Sequence, residues 1–441
     1  VKQNFGYAAG VAILFVSILF SCHVVRNNAT AAAGDLTTNS VSAIPNYPLE
    51  SDGDLDILVK AIGDARVVFL GESTHGTSEY YTWRTAITKK LIKEKGFDFI
   101  AIEGDWDDSY KVSQFTQSPA SDSTRVIDIL RQYDRWPSSM WGNYEMVPLI
   151  EWMNAYNQNR PGKIGFYGLD LYSFWEWTSQ PPPVTDTAIQ TAIRQVRDFF
   201  APYKNDAMIY ADSLRHSKAN GSGITKHLWS EVQRYTRNKQ PKDEAEFVLY
   251  QDACLALNGE LFFRTMIRDR VKAINVRETY MAETVKRLLQ FYGPHSRAVV
   301  WVHNGHAGDA HYSNMGTSGY TSVAEILKSA LGRNNIFSVG FGTYRGTVMA
   351  GYFWNGQLHK QIVLPAKAGS WEYLLHELSP ANKIVLSKKI QDNVALSRWI
   401  EFRSIGAAYE GTAIYGRSII PKRFDAFVFI DSTTALHPIN H

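Results

Sequence analysis

Val67-Val68-Phe69-Leu70-Gly71-Glu72-Ser73-Thr74-His75-Gly76 runs four apolar residues into a glycine-flanked turn that carries a carboxylate and an imidazole. The same arrangement returns far downstream, where Ala298-Val299-Val300-Trp301-Val302 runs into His303-Asn304-Gly305-His306. Short apolar runs rich in β-branched residues and bounded by Gly or charge mark strands buried on both faces. The first run extends over Arg66 to Leu70, and Phe97 to Ile102, Lys163 to Tyr167 and Ile336 to Phe341 read the same way. Between the first two runs, Thr77 to Lys95 is apolar at Tyr80, Trp83, Ile87 and Leu91, which is helical spacing, and Gly96 is its stop signal. The order strand, helix, strand predicts an α/β fold with a largely parallel central sheet flanked by helices. In such sheets ligands bind beyond the carboxyl ends of the strands. The two motifs are therefore expected to meet across one crevice.

The pattern changes from about residue 188 to residue 292. Stretches such as Lys242 to Arg277 are helical in period and poor in strand signals. Pro181-Pro182-Pro183 precedes this region and Gly293-Pro294 closes it, so a helical lobe inserted between two strands of one sheet is predicted. Val348 to Trp354 and Phe424 to Ile430 are further strand candidates near the end. Residues 47–441 are read as one catalytic domain. The 441-residue chain is 45% hydrophobic and 20% charged, ordinary for a globular protein with a full core. A formal net charge of +3, with no run of like charges, excludes an electrostatic case for nucleic acid. The aromatic share of 13%, with 12 Trp, suits either a cleft for a bulky organic ligand or an aromatic core.

The beginning of the sequence reads differently. Lys2, the apolar stretch Tyr7 to Phe20 and Ser21-Cys22 have the layout of a secretory signal, too short for a confident spanning helix. Leu19-Phe20-Ser21-Cys22 resembles a bacterial lipobox. The expectation is a signal peptide over residues 1–21, a lipid on Cys22, a flexible tether over 22–46 and a place in the bacterial cell envelope, bound to the membrane through that anchor. The only other cysteine, Cys254, lies in an apolar stretch and reads as a buried small hydrophobe.

Glu72 and His75 share a turn ahead of a helix, whose dipole disfavours an imidazolium. A neutral His there is a candidate general base, and the nearby carboxylate can fix its tautomer. Arg84 falls on the inward face of the helix and needs a carboxylate partner; Glu103, directly after Phe99-Ile100-Ala101-Ile102, is the expected one. Asp170 follows another strand run and reads as a turn residue or a site residue. His303 and His306 are candidate metal ligands, acid and base, or donors to an oxyanion. His311, in a polar loop, reads as solvated. Trp136, Trp141, Tyr144 and Glu145 form an aromatic and acidic group that suits a substrate wall or a packed loop. No Gly-x-Ser-x-Gly elbow, P-loop, His-Glu-x-x-His or paired Cys-x-x-Cys occurs, which argues against a serine α/β-hydrolase, a P-loop enzyme and the common zinc patterns.

Taken together these segments resemble the erythromycin esterases. The resemblance rests on Gly71-Glu72-x-x-His75-Gly76, Arg84, Glu103, Tyr167-Gly168-Leu169-Asp170 and Trp301-Val302-His303-Asn304-Gly305-His306. It extends through Gly340-Phe341-Gly342-Thr343 and Arg403-Ser404-Ile405-Gly406. It implies an α/β core with a helical lobe, and hydrolysis of a macrolide lactone by activated water. His75 would be the base, with Glu72, Arg84, Glu103, His303 and His306 around it. The expectation is thus an ester or macrolactone hydrolase without a cofactor, acting on a small-molecule ester or macrolide, with Trp141, Tyr144 and Asp170 as substrate contacts. A metal-dependent envelope hydrolase and a non-catalytic binding protein are the alternatives.

Overall fold

The computed structural model describes residues 44–119, 123–158, 160–203, 207–216, 220–237, 241–409 and 415–440. The expected signal peptide and Cys22 lie outside the described residues. Ile44 is buried, and Asn46–Pro48 already forms an edge strand, so the end of the expected tether is part of the fold.

The strands are β1 (Asn46–Pro48), β2 (Val67–Leu70), β3 (Phe99–Asp105), β4 (Gly165–Asp170), β5 (Ala298–Trp301), β6 (Ile336–Gly351), β7 (Leu358–Val363), β8 (Lys383–Leu386), β9 (Ile400–Arg403), β10 (Tyr415–Ser418) and β11 (Ala426–Thr433). Nine of them form one sheet in the order β1-β8-β11-β6-β2-β5-β3-β4, with β7 paired to β6; β9 and β10 form a separate hairpin. From β11 through β6, β2, β5 and β3 to β4 every pairing is parallel. The predicted fold class is thus the observed one, with antiparallel pairing confined to β1, β7, β8 and the separate hairpin. Every residue of β2 and β5 is buried, because helices cover both faces of the sheet. Successive residues alternate between the two cores: Val67 and Phe69 join the one shared with the helical lobe, Val68 and Leu70 the one under the Ser78–Lys95 helix.

That helix ends where the sequence says it should, with Gly96 in the left-handed conformation at φ 66°. The insertion is helical as expected, with helices Thr187–Phe200, Ala207–Ser213, Ser222–Tyr235, Glu244–Met266 and Arg270–Tyr292. Cys254 is buried there. One strand expectation needs correction. Ile336 to Phe341 and Val348 to Gly351 are not separate strands but parts of the single long β6, and Tyr352 to Trp354 lie in the turn after it. At Gly346, φ 145°, which pairs with Thr433 of β11, a side chain would meet Thr433 O at 2.1 Å. The strand then continues as a hairpin with β7.

Registers place the chemistry. Leu70 and Ile102 both pair with Trp301, and Ile102 pairs with Gly168. The carboxyl ends of β2, β5, β3 and β4 are therefore level. β5 returns to a place between β2 and β3, while β6 goes to the other side of β2, so the chain changes direction at this point of the sheet. That is where an α/β sheet opens its crevice.

Candidate active site

The turn after β2 is pinned on three sides. Asn304 donates its backbone N–H to Glu72 O (2.8 Å), His75 donates its own to Gly406 O (3.0 Å), and Met349 N–H reaches Gly76 O (2.9 Å). Two glycines allow this closeness. A Cβ at Gly71 would lie 2.2 Å from Asn304 Oδ1, and one at Gly76 would lie 1.8 Å from Met349 O. The Asn304 side chain exchanges a pair of hydrogen bonds with Phe341, donating at 2.7 Å and accepting at 3.1 Å, and so ties the second motif to β6.

Within this frame His75 Nδ1 lies 2.7 Å from Glu72 Oε1. The other carboxylate oxygen meets Arg84 Nη2 at 2.8 Å; the contact is ionic, outside the angles of an aligned hydrogen bond. Arg84 is fully buried, with its guanidinium 4.4 Å from the Tyr81 ring and 4.7 Å from the Trp301 ring. Its partner is Glu72 and not the expected Glu103, because the inward face of the helix looks down on the turn that precedes it. A carboxylate beneath Nδ1 fixes the proton there and leaves Nε2 as the basic nitrogen.

The His303 ring lies 5.3 Å from the His75 ring. Its Nδ1 accepts from Gly305 N–H (3.1 Å), so in the neutral ring the proton is on Nε2, which faces Ser404 Oγ at 3.3 Å. Burial, and next the neighbouring His75, holds His303 well below the usual imidazole range. His306 is the opposite case. Burial disfavours its charge, but Glu103 and Glu278 outweigh burial and hold it up to about 10. Its Nε2 is 3.0 Å from Glu103 Oε1 and its Nδ1 is 2.6 Å from Glu278 Oε1. Two imidazoles three residues apart are thus pushed in opposite directions.

Glu103 is the hub of the far wall. It takes Arg277 Nη2 on Oε1 (3.0 Å) and His303 N–H on Oε2 (2.7 Å). Burial would raise its pKa, but His306, Arg277 and His75 together hold it well below the carboxylate range. Asp170 faces the Arg277 fork with both oxygens, Nε lying 2.9 Å from Oδ1. Asp170 thus clamps Arg277. Trp141 is buried too, its indole N–H donating to Glu103 O at 2.9 Å. Of the three expected substrate contacts only Tyr144 is open, 49% exposed. Glu145 is bound to His437 Nδ1 at 2.7 Å, and Trp136 packs on Trp354 at the tip of the β6–β7 hairpin.

Over residues 92–433 the sequence matches the family described as erythromycin esterase. The chain belongs to that family. The Glu72–His75 turn lies ahead of the matched span, which holds Glu103, Asp170, Arg277, His303 and His306. The protein is 20% identical over 425 residues to the erythromycin esterase type II of Escherichia coli, covering 88% of this chain and 94% of that one. It is 20% identical over 347 residues to the putative hydrolase YbfO of Bacillus subtilis, covering 74% and 75%. Among solved structures, a succinoglycan biosynthesis protein superposes with a TM-score of 0.72 at 22% identity, covering 92% of this chain and 100% of that one. The EreC erythromycin esterase, a point mutant in its open conformation, superposes with a TM-score of 0.61 at 15% identity, covering 88% and 97%. These structures show that the family fold is shared.

Sequence reading missed Arg277 and Glu278. The signal was present: Ala273, Ile274, Arg277, Met281 and Val285 recur at helical spacing, and a charged residue on that buried stripe is the same clue that singled out Arg84. Ser404 lay in a recognised segment but carried no chemical signal until β9 brought it beside His303.

Proposed function

We propose that this protein hydrolyses a carboxylic ester or macrolactone by attack of water activated at His75. The observation that carries the reading is the buried chain Arg84–Glu72–His75, in which the arginine anchors the carboxylate and the carboxylate orients the base. His75 Nε2 takes a proton from water. The resulting hydroxide attacks the ester carbonyl, and the negative charge of the tetrahedral intermediate is met by the Nε2–H of neutral His303. Collapse expels the alkoxide, which recovers the proton from His75, leaving a carboxylic acid and an alcohol. Arg84 is a positioning residue in this scheme, since it is buried behind Glu72. No covalent enzyme intermediate is involved.

Donor chemistry favours a step without metal. Both oxygens of Glu72 and of Glu103 already face a cation or an N–H, and both nitrogens of His306 face a carboxylate. A divalent ion would have to displace these partners. For the substrate class, the support is the family and an aromatic rim. The β6–β7 hairpin rises from the strand bonded to Gly76 and exposes Tyr352 (58%) and Phe353 (62%), with Tyr144 on the loop beside it. Apolar rings with few charges suit a bulky neutral lactone such as a macrolide. The test is mass spectrometry of erythromycin and a panel of lactones and esters incubated with the protein. A product one water heavier than its substrate is expected. Binding without any such product would make the protein a binder, and near-stoichiometric metal whose removal abolishes turnover would replace the metal-free step.

We also propose that the protein is exported and anchored by a lipid on Cys22. The support is the sequence Leu19-Phe20-Ser21-Cys22 and the apolar run before it. Metabolic labelling should put lipid on the wild type and none on Cys22→Ser; an unlabelled wild type removes the claim.

A further inference from the structure

Arg277 and Glu278 are consecutive residues of the Arg270–Tyr292 helix, which belongs to the lobe and not to the sheet. Arg277 is buried and Glu278 fully so. The two side chains reach different partners in the crevice. Arg277 grips Asp170 and Glu103. Glu278 gives one oxygen to His306 Nδ1 and the other to the backbone N–H of Val323, at 3.0 Å. A neutral imidazole has one N–H. Each ring nitrogen of His306 lies within ion-pair distance of a carboxylate, the Nδ1 contact being ionic and outside the angles of an aligned hydrogen bond, and this setting favours the imidazolium. Around it stand Glu103 from β3, Glu278 and Arg277 from the lobe helix (Arg277 Nη1 at 3.3 Å), and His75 and His303 from the two loops. Two cations, Arg277 and His306, thus meet three carboxylates, Glu103, Asp170 and Glu278. Without Glu278 the second charge on His306 loses one of its two direct partners.

Contact runs unbroken from the lobe to the base: Glu278 to His306, His306 to Glu103, Glu103 to the backbone N–H of His303, and the His303 ring to the His75 ring. We propose that Glu278 is a positioning residue of the active site: by holding His306 as an imidazolium against Glu103, it makes the helical lobe fix the contact of Glu103 with the His303 backbone, and so the turn that carries the His303 ring beside His75. The lobe is then a working part of the site and not only a cover over the sheet. This rests on the hydrolytic reading for its kinetic consequence, but not for its chemical one.

Glu278→Gln is the informative variant, because the amide keeps the shape and an acceptor for Val323 N–H while removing the charge. In the full chain with 15N-labelled histidine, wild-type His306 should remain doubly protonated at pH 8. In Glu278→Gln it should lose its second proton near neutrality, and the His303 resonances should move with it. On the ester that the wild type hydrolyses, kcat should fall by about 10²-fold, the usual effect of a small misplacement, with KM little changed. Glu278→Asp, which keeps the charge, should recover part of the rate; if the Gln variant does not fold, the Asp variant carries the same readouts at smaller amplitude. Unaltered His306 and His303 resonances in a folded variant overturn the proposal, and so does an unchanged kcat. The resonance arm needs no substrate. A failed ester screen therefore sinks the hydrolytic reading while the histidine signals still decide this one.

Discussion

At the scale of single residues the site is a set of charges, each placed against opposite charges or N–H groups. His75 has Glu72, Glu72 has Arg84 as well, and the arginine packs against the edge-to-face pair Tyr81 and Trp301. His75→Asn should lower turnover by about 10²-fold to 10⁴-fold, the usual worth of a positioned acid–base group, with substrate binding changed less. A folded His75→Asn protein that turns over like the wild type would reassign the base to His303. Arg84→Met should cost about 3–5 kcal/mol of stability in denaturant unfolding, because it strands a buried carboxylate. Arg84→Lys keeps the charge but loses the planar group that packs against the two rings, so it too should be impaired. If Arg84→Met unfolds at the same denaturant concentration as the wild type, the Glu72 ion pair contributes nothing to the fold.

At the scale of elements the decisive feature is how closely two loops and the strand β6 approach the turn after β2. Gly76 is wedged against Met349 of β6, with no room for a Cβ. Gly76→Ala should force the hairpin strand away, cost about 1–3 kcal/mol, the range for overpacking a tight site, and reduce activity more than Gly96→Ala does. At Gly96 a Cβ meets nothing, although the backbone is left-handed. Equal activity losses in the two alanine variants would mean that the turn tolerates displacement. The helix stop at Gly96 and the apolar period before it were legible, because capping and amphipathicity are local. The continuity of β6 was not. The strand runs on because Gly346 fits against Thr433 of β11, a contact that no local pattern encodes.

At the scale of the whole molecule the lobe and the sheet are joined through ionised groups, so stability should depend on pH. His306 has a folded pKa near 10 against 6.5 unfolded. Its contribution is full below about 6.5 and is lost as pH rises towards 10, with an upper limit on the order of 5 kcal/mol at about 1.4 kcal/mol per unit. His303 works in the other direction: it stays neutral in the fold, so its contribution is present above about 6.5 and is lost as pH falls. Glu103, held low, likewise stops contributing in acid. Thermal unfolding should therefore show falling Tm between pH 7 and 10, and His306→Gln should flatten that slope; a slope that persists in the variant would place its origin elsewhere. The six parallel strands, the helical insertion and the two motifs after β2 and β5 were readable in the amino-acid order, because hydrophobic period and turn chemistry act over a few residues; β1, β7, β8, β9 and β10 were not. Which groups pair was decided only by tertiary structure. Glu72 rather than Glu103 receives Arg84, Asp170 clamps Arg277, and a lobe helix brings Glu278 against His306. Ion pairing depends on distance in space, and residues 103, 170, 277 and 306 are brought together only when four level strands and one inserted helix close on the same crevice.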